Sequence, residues 1–136
     1  MTRLVVVGNG MAGMACVEQI LKYPQQFDIT VFGDETHGNY NRVLLSSVLA
    51  GEKAADDIVI NPIEWYQKHG IHLRAGVRIV DVDADAKTVT GDDGSVTAWD
   101  VLLLATGSSA WFPKIEGLDK EGVLAFRTLE IGRAHV

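Results

Sequence analysis

The sequence contains a single cysteine, Cys16, among its 136 residues. One thiol excludes an intrachain disulfide framework, a four-cysteine zinc site and a Cys-x-x-Cys redox pair. The histidines show no metal-ligand spacing with carboxylates, so no metal site is expected. Cys16 lies in a helical stretch, where we expect a small buried hydrophobic residue. This cysteine usage predicts a reducing, cytoplasmic location.

Basic residues and long apolar runs are also scarce. The chain has 12 basic against 18 acidic residues, a formal net charge of −6, with no basic cluster. This balance argues against a nucleic-acid partner. The longest apolar runs, residues 4–7 and 101–105, fall far short of the roughly 18 residues of a membrane span. No leader pattern opens the chain, and no membrane partner is expected.

Glycine is abundant, with 14 residues against three prolines. Three glycines, Gly8, Gly10 and Gly13, follow the β-branched run at residues 4–7 and precede a helical stretch that Pro24 is expected to end. A second strand is predicted at residues 28–32. This strand, glycine loop, helix and strand unit of about thirty residues is typical of a dinucleotide-binding fold.

The rest of the chain extends that fold. Residues 71–74 predict a third strand, and residues 101–105 resume the pattern of a parallel strand buried on both faces. Between them, three segments separated by turns predict an antiparallel ribbon: residues 77–83, 87–90 and 95–99. The predicted fold class is therefore α/β, a Rossmann-type parallel sheet with an inserted antiparallel three-strand β-ribbon.

Two connecting regions carry weaker signals. Residues 36–54 are expected to be loop-like. In the following segment, Asn61 is predicted as the N-cap of a helix, Pro62 as its first residue and Gly70 as its terminator.

Each glycine of the motif has a predicted task. Gly8 permits the tight turn, Gly10 allows the backbone to approach a pyrophosphate, and Gly13 allows the helix to pack closely. Met11 and Ala12 lie between them, at a helix start whose free amides favour phosphate. Beyond the second strand, Asp34 or Glu35 is expected to accept hydrogen bonds from the adenosine ribose. Either acid fits, and Asp34 is slightly favoured.

The inserted ribbon and the Ala105-Thr106-Gly107 turn resemble the FAD-binding half of two-dinucleotide flavoprotein reductases. Further segments narrow the resemblance to the large subunit of the NAD(P)H-dependent assimilatory nitrite reductase family. These are Gly8 to Gly13 with Met11, residues 39–49 (NYNRVLLSSVL), 65–71 (WYQKHGI), 105–109 (ATGSS) and 126–130 (FRTLE). The likeness covers residues 1–130, and the stretch from Asn41 to Ser47 is its most specific part.

The resemblance implies FAD as the cofactor of this chain. It implies that Ala105, Thr106 and Gly107 pass close to FAD and that the backbone at Ile79 meets the adenine. Arg42 is expected to contact the pyrophosphate or to hold its own loop through a carboxylate. Ser47, with Ser46, is expected to cap a short helix, with a flavin contact as the alternative.

In that family the electrons pass from NAD(P)H through FAD and iron–sulfur clusters to sirohaem, where nitrite becomes ammonia. No catalytic residue for this reaction is expected in the chain. The missing remainder of the parent chain and a small nitrite reductase subunit are its expected partners. Ser46 and Ser47 stand where disulfide-reducing relatives carry cysteine, so thiol chemistry on the flavin is not expected.

Two other functions fit the sequence. One is a rubredoxin- or ferredoxin-type NAD(P)H reductase; the other is a stand-alone dinucleotide-binding module. Residues 1–130 are expected to be the N-terminal portion of a truncated FAD-binding domain. The tail, residues 131–136, matches a translated sequencing-adapter oligonucleotide and is expected to be non-native. The resemblance implies that the chain of such a domain later returns to complete the sheet. The returning strand and helix would then be missing, so the chain would be an incomplete FAD/NAD(P)-binding domain, with marginal stability and an uncovered sheet edge.

Overall fold

The computed structural model describes residues 1–23 and 26–130. Pro24 and the tail at 131–136, for which the sequence makes predictions, lie outside the described residues. The chain divides into two compact units. The first contains Met1–Tyr40 and Ile60–Gly107, and the second contains Asn41–Val59 and the described residues from Ser108 onwards.

The architecture is α/β, as the sequence predicts. The strands, in chain order, are β1 (Thr2–Val7), β2 (Phe27–Gly33), β3 (Asn39–Tyr40), β4 (Val59–Asn61), β5 (His72–Ala75), β6 (Ile79–Asp83), β7 (Thr88–Gly91), β8 (Val96–Ala98) and β9 (Val101–Leu104). The helices are α1 (Met11–Ile20), α2 (Leu45–Leu49) and α3 (Ile63–Lys68), with 3₁₀ turns at Arg42–Leu44 and Ala55–Ile58.

The first unit contains a four-stranded sheet in the order β5-β2-β1-β9. Its strands are parallel, with Val6 of β1 aligned with Val31 of β2 and with Leu103 of β9. A separate antiparallel sheet in the order β6-β7-β8 is the predicted ribbon. Strands β3 and β4 form a short two-stranded sheet.

Strand β1 lies at the centre of two apolar clusters because its alternate side chains point to opposite faces. Leu4 and Val6 belong to the cluster that contains Met14 and Val17 of α1. Val5 and Val7 pack instead with Phe32 and with Val89 of the ribbon. The continuous apolar run therefore forms a strand buried on both faces, as predicted.

Strand β9 differs from the expectation of a fully buried strand. Val101 is 45% exposed and Leu104 is 59% exposed. The physical reason is its position: β9 is at the end of the strand order of the described sheet, so it has one strand neighbour, β1. The apolar pattern identified the strand but not its place in the sheet.

Helix α1 buries Gly13, Met14 and Val17 and ends at Ile20, with Leu21 as its C-cap. Cys16 is exposed, so the expectation of a buried cysteine was wrong. Cys16 directly precedes the buried Val17, and adjacent residues of a helix point about 100° apart, so Cys16 is turned away from the buried face.

Helix α3 begins one residue later than predicted. Pro62, not Asn61, is the N-cap, and no side chain caps this helix. The Asn61 side chain is instead buried in a hydrogen-bond network within the first unit. Gly70 adopts a φ of +66° just after the C-cap His69, as predicted for a helix terminator.

In the second unit, part of the region expected to be loop is helical. The side chain of Asn41 accepts a hydrogen bond from the Val43 amide and so begins a 3₁₀ turn, which leads into α2. Ser46 and Ser47 lie inside α2 rather than at its cap, so the capping prediction was wrong. Leu45 and Val48 of α2 are buried, as are Ile58 and Leu129. No helix among the described residues is long and apolar enough to cross a membrane.

A pair of opposite charges ties the beginning of β1 to the residue that precedes β9. The Asp100 carboxylate accepts hydrogen bonds from the Arg3 amide at 2.8 Å and from the Arg3 Nε and Nη2 at 3.0 Å each. The Asp100 amide donates to the Arg3 carbonyl at 2.9 Å. These hydrogen bonds to the ionised form hold the pKa of Asp100 well below its usual range.

We therefore expect the stability contribution of Asp100 to depend on pH. A depressed pKa stabilises the folded state above the unfolded value of about 3.9, and that stabilisation is lost as the pH falls through the folded-state pKa. The Asp100 carboxyl carbon should still report an ionised group at pH 3 in an NMR titration. Asp100→Asn should lower the urea midpoint at pH 7, and the difference between the two proteins should shrink as the pH falls below the unfolded value towards the folded-state pKa. A midpoint difference that does not shrink with falling pH, or titration near pH 4, would contradict this.

Candidate functional site

The carboxyl end of β1 runs directly into the glycine motif. Gly8 adopts a φ of +113°, which disfavours any side chain. A Cβ on Gly8 would overlap the Ala105 carbonyl oxygen and would lie 2.6 Å from the Ala105 carbonyl carbon. The Gly8 amide donates to the Phe32 carbonyl at 2.8 Å. Gly8 is therefore required by the close approach of two backbone segments, in addition to the turn.

The other two glycines differ in their surroundings. A Cβ on Gly13 would lie 3.0 Å from the Gly8 carbonyl oxygen and 3.3 Å from the Ala105 Cβ, which is the close helix packing that the sequence predicts. A Cβ on Gly10 would meet no atom of the described residues within 4 Å. The space beside Gly10 is open.

The first turn of α1 faces that open space without a capping side chain. Gly10 is the N-cap, no side chain of the described residues caps the helix, and its first turn contains no acidic residue. Met11 and Ala12 are exposed. The early amides of a helix carry partial positive charge and lack partners within the helix. The arrangement can therefore bind an anion through backbone N–H groups.

The Ala105-Thr106-Gly107 turn lies against the same loop. The Ala105 amide donates to the Val7 carbonyl at 2.9 Å, and the Thr106 nitrogen would lie 3.1 Å from a Cβ on Gly8. Gly107 adopts a φ of +69°. The structure thus brings together two motifs that are almost a hundred residues apart in sequence.

The two candidate acids follow β2 and differ in environment. Asp34 is exposed, and its carboxylate has no partner in the described part of the chain. Both carboxylate oxygens of Glu35 accept from the Tyr40 hydroxyl, at 2.7 and 3.0 Å. The structure therefore leaves Asp34 open to a ligand and holds Glu35 in place.

The remaining predicted residues lie further along the chain. Ile79 begins β6 of the ribbon, pairs with Gly91 and packs on the cluster that contains Phe32. Arg42 and Ser47 belong to the second unit. The Arg42 Nη1 donates to the Arg127 carbonyl at 2.9 Å, which ties the 3₁₀ turn to the C-terminal segment of that unit. Arg42, Ser46 and Arg127 line a small open cavity of about 160 Å³ there.

The sequence analysis missed the role of Asn9, the residue between the first two glycines. The Asn9 Oδ1 accepts from the Tyr66 hydroxyl, and its Nδ2 donates to the His37 carbonyl at 3.1 Å. Its side chain also occupies the space beside Gly33, where a Cβ would lie 2.7 Å from the Asn9 Cβ. The one available signal was the presence of a polar residue inside a glycine loop.

Tyr66 is fully buried and connects Asn9 to two buried asparagines. Its hydroxyl accepts from the Asn39 amide at 3.2 Å, the Asn39 Nδ2 donates to the Asn61 Oδ1 at 2.9 Å, and the Asn61 Nδ2 donates to Glu18 at 2.9 Å. Burial raises the pKa of Tyr66 to about 12. Tyr66 is therefore protonated at neutral pH and can donate to Asn9.

The described residues contain no group of three or more His, Cys, Asp or Glu side chains arranged to hold a metal ion. At this edge of the sheet the described residues present backbone amides at the start of α1 and the carboxylates of Asp34 and Glu35 after β2.

Comparison with known proteins places the chain in a family. The family model for pyridine nucleotide-disulphide oxidoreductases matches residues 2–134. The chain therefore belongs to the pyridine nucleotide-disulphide oxidoreductase family, and its resemblance to the nitrite reductase large subunit is confirmed by the relatives that it matches.

Two of these relatives come from Bacillus subtilis (strain 168). The assimilatory nitrate reductase electron transfer subunit is 50% identical over 129 residues, which are 94% of this chain and 17% of the relative. The nitrite reductase [NAD(P)H] is 45% identical over 129 residues, 94% of this chain and 16% of the relative. The chain spans about a sixth of the length of these two relatives.

Among solved structures, the NADH:rubredoxin oxidoreductase from Clostridium acetobutylicum superposes with a TM-score of 0.87 at 26% sequence identity. The match covers 98% of this chain and 34% of that structure. The predicted fold class is thereby confirmed.

Gly8 and Gly10 should respond differently to the same added methyl group. Gly8→Ala should lower the free energy of unfolding by about 3 kcal/mol, because the new Cβ overlaps the Ala105 backbone at a left-handed φ. Gly10→Ala should cost less than about 1 kcal/mol, because its Cβ meets open space at an N-cap. Urea unfolding measures the free energy of unfolding of both variants. Equal losses would show that glycine at position 8 is not required by the contact with Ala105.

Proposed function

We propose that this chain is the FAD-binding portion of a flavoprotein NAD(P)H oxidoreductase of the nitrite reductase large-subunit type. Family membership and the names of the relatives support the general class. The observation that carries the proposal for this chain is the uncapped start of α1, beside the open space at Gly10 and in contact with the Ala105 turn.

This site fits the phosphate half of FAD. The amides of Gly10, Met11 and Ala12 precede the first hydrogen bonds of α1, and no acidic side chain in that turn repels an anion. Gly8 and Gly13 fix the loop and the helix closely against the strands. A pyrophosphate therefore finds donors and partial positive charge without the need to displace a side chain.

Asp34 is the better candidate for the adenosine ribose. Its carboxylate is exposed at the end of β2, whereas both oxygens of Glu35 are engaged by Tyr40. A free carboxylate can accept from two ribose hydroxyls without breaking an existing bond. Glu35 then keeps the segment after β2 in position.

The other contacts extend the same proposal. The backbone at Ile79 would meet the adenine, and the turn at Ala105, Thr106 and Gly107 would pass close to the cofactor. Arg42 and Ser47 belong to the second unit, where Arg42 holds the Arg127 carbonyl.

FAD, when bound, supplies acceptance of a hydride from NAD(P)H and release of its electrons in single steps. The residues of this chain bind and orient the cofactor, and no acid, base or nucleophile is assigned among them. In the parent protein the electrons would continue to iron–sulfur and sirohaem centres that reduce nitrite to ammonia. The rest of the parent chain and a small nitrite reductase subunit are the proposed partners, and the proposed location is cytoplasmic.

Residues 1–130 are proposed to be the N-terminal portion of the FAD domain, with 131–136 a non-native tail. The exposed apolar side chains of β9 and the greater length of the relatives support a missing remainder. The native reading frame across codon 130 tests this. Continuation into a second glycine-rich dinucleotide segment supports it, and a genomic stop codon would favour a stand-alone binding module.

Electron delivery to a separate protein is the second candidate function. The 50% identical relative is named an electron transfer subunit of nitrate reductase, and the structural neighbour is a rubredoxin reductase. Cysteine ligands for sirohaem downstream in the native frame would favour nitrite reduction, and their absence would favour a separate acceptor.

FAD binding tests the main proposal. The chain, expressed within its native reading frame, should quench FAD fluorescence on binding, with weaker binding of FMN, which lacks the adenosine half. Gly10→Ala should weaken FAD binding about tenfold or more, equivalent to ~1.4 kcal/mol, because its methyl group occupies the pyrophosphate approach. Asp34→Asn should weaken FAD binding more than Glu35→Gln.

Gly94→Ala is the matched control. Gly94 also has open space beside it, but it lies in a ribbon turn with a φ of +82°, so an alanine should cost stability and leave FAD affinity unchanged. Tighter binding of NADH than of FAD, or equal binding of FMN and FAD, would overturn the assignment of this site to FAD.

A further inference from the structure

Asn9 is the side chain that links the glycine loop to the protein interior. The Asn9 Oδ1 accepts from the Tyr66 hydroxyl, and its Nδ2 donates to the His37 carbonyl. Both bonds are made by the Asn9 side chain. A loop of glycines alone would have no such anchor, because glycine offers no side chain and has the largest backbone freedom.

The anchor is itself fixed from several directions. Tyr66 of α3 is held by the amide of Asn39, and Asn39 is held by Asn61, whose partner is Glu18 of α1. Asn39 and Asn61 are each only 2% exposed. A buried network of this kind permits few alternative arrangements, because each broken bond leaves a polar group without water. The position of the Asn9 side chain is therefore determined by the core.

Asn9 also decides which residue can stand at position 33. Gly33 does not have a left-handed φ, so its backbone conformation does not require glycine. A Cβ there would lie 2.7 Å from the Asn9 Cβ, which is closer than real side chains approach. The requirement for glycine at the end of β2 is thus created by the side chain of Asn9.

We infer that Asn9 is a positioning residue for dinucleotide binding, which anchors the glycine loop through Tyr66 and excludes a side chain at position 33. The consequence of the exclusion is that the first acid available after β2 is Asp34. This inference rests on the proposed dinucleotide site, since it assigns a role in forming that site. Asn9 acts through the loop backbone and through Gly33, not by its own contact with the cofactor.

A double-mutant cycle tests the exclusion. Gly33→Ala should weaken both stability and FAD binding in the presence of Asn9. In an Asn9→Gly background the same change should cost little, because the opposing Cβ is gone. The coupling should be about tenfold in FAD affinity, within the range for residues in contact. An equal penalty for Gly33→Ala in both backgrounds would overturn the inference.

A second comparison separates positioning from general stability. Tyr66→Phe removes the donor to Asn9 and should lower FAD affinity. Ile71→Val is the matched control, because Ile71 is buried in the same cluster and its amide donates to the Tyr66 carbonyl, yet the change alters no hydrogen bond. If Tyr66→Phe and Ile71→Val lose FAD affinity in the same proportion to their loss of stability, Tyr66 has a merely structural role. That result would overturn the anchoring role.

The two hypotheses fail in different ways. If the unaltered protein, expressed within its native reading frame, binds no FAD, the proposed function fails. The stability arm of the Asn9–Gly33 cycle then still decides whether Asn9 excludes a side chain at position 33. If the unaltered protein binds FAD and the cycle shows no coupling, the positioning role fails and the proposed function stands.

Discussion

The backbone contact between Gly8 and Ala105 is the constraint on which the candidate site depends. It joins the end of the first strand to the end of the last strand of the parallel sheet, and it leaves no room for a single methyl group. Because β1 and β9 are paired with each other, with Val7 aligned with Leu104, the contact lies directly beyond the ladder that joins them, where the chain leaves β1 for α1. The start of α1, where we propose that phosphate binds, is thus positioned in part by main-chain packing.

A second interaction fixes the same loop from the interior. The Gly8 contact determines the beginning of the loop, and the Asn9–Tyr66 hydrogen bond determines the direction of its next residue. Neither would suffice alone, since a backbone crossing restrains one point and a single polar bond restrains one side chain. Together they restrain a segment rich in glycine, whose unfolded form has high conformational entropy. Preorganisation of this kind reduces the ordering cost of ligand binding.

The elements that the sequence predicted well are those with local signals. A few adjacent residues were enough to predict each of these elements: the strand at residues 4–7, the glycine loop with Gly8, Gly10 and Gly13, and the turns of the ribbon. The wrong predictions depend on distant partners. Asn61 is of a residue type that often caps helices, but its side chain is hydrogen-bonded to Asn39 and Glu18 instead. Residues 101–105 have the pattern of a central strand, but the strand order places β9 at the end of the described sheet. No local pattern could have linked Gly33 to Asn9, because that contact exists only once β1 and β2 are paired.

Recognition through the main chain is compatible with relatives that are named for different electron acceptors. Backbone amides, glycine contacts and a helix start recognise the phosphates of a dinucleotide, a feature that does not change with the acceptor. A segment of this kind can therefore be similar in proteins named a nitrate reductase electron transfer subunit and a nitrite reductase. In the proposed site, the main chain of the glycine motif and of the strand ends would contact the phosphates of the cofactor, which take no part in electron transfer. These elements therefore favour a class of cofactor and leave the acceptor open.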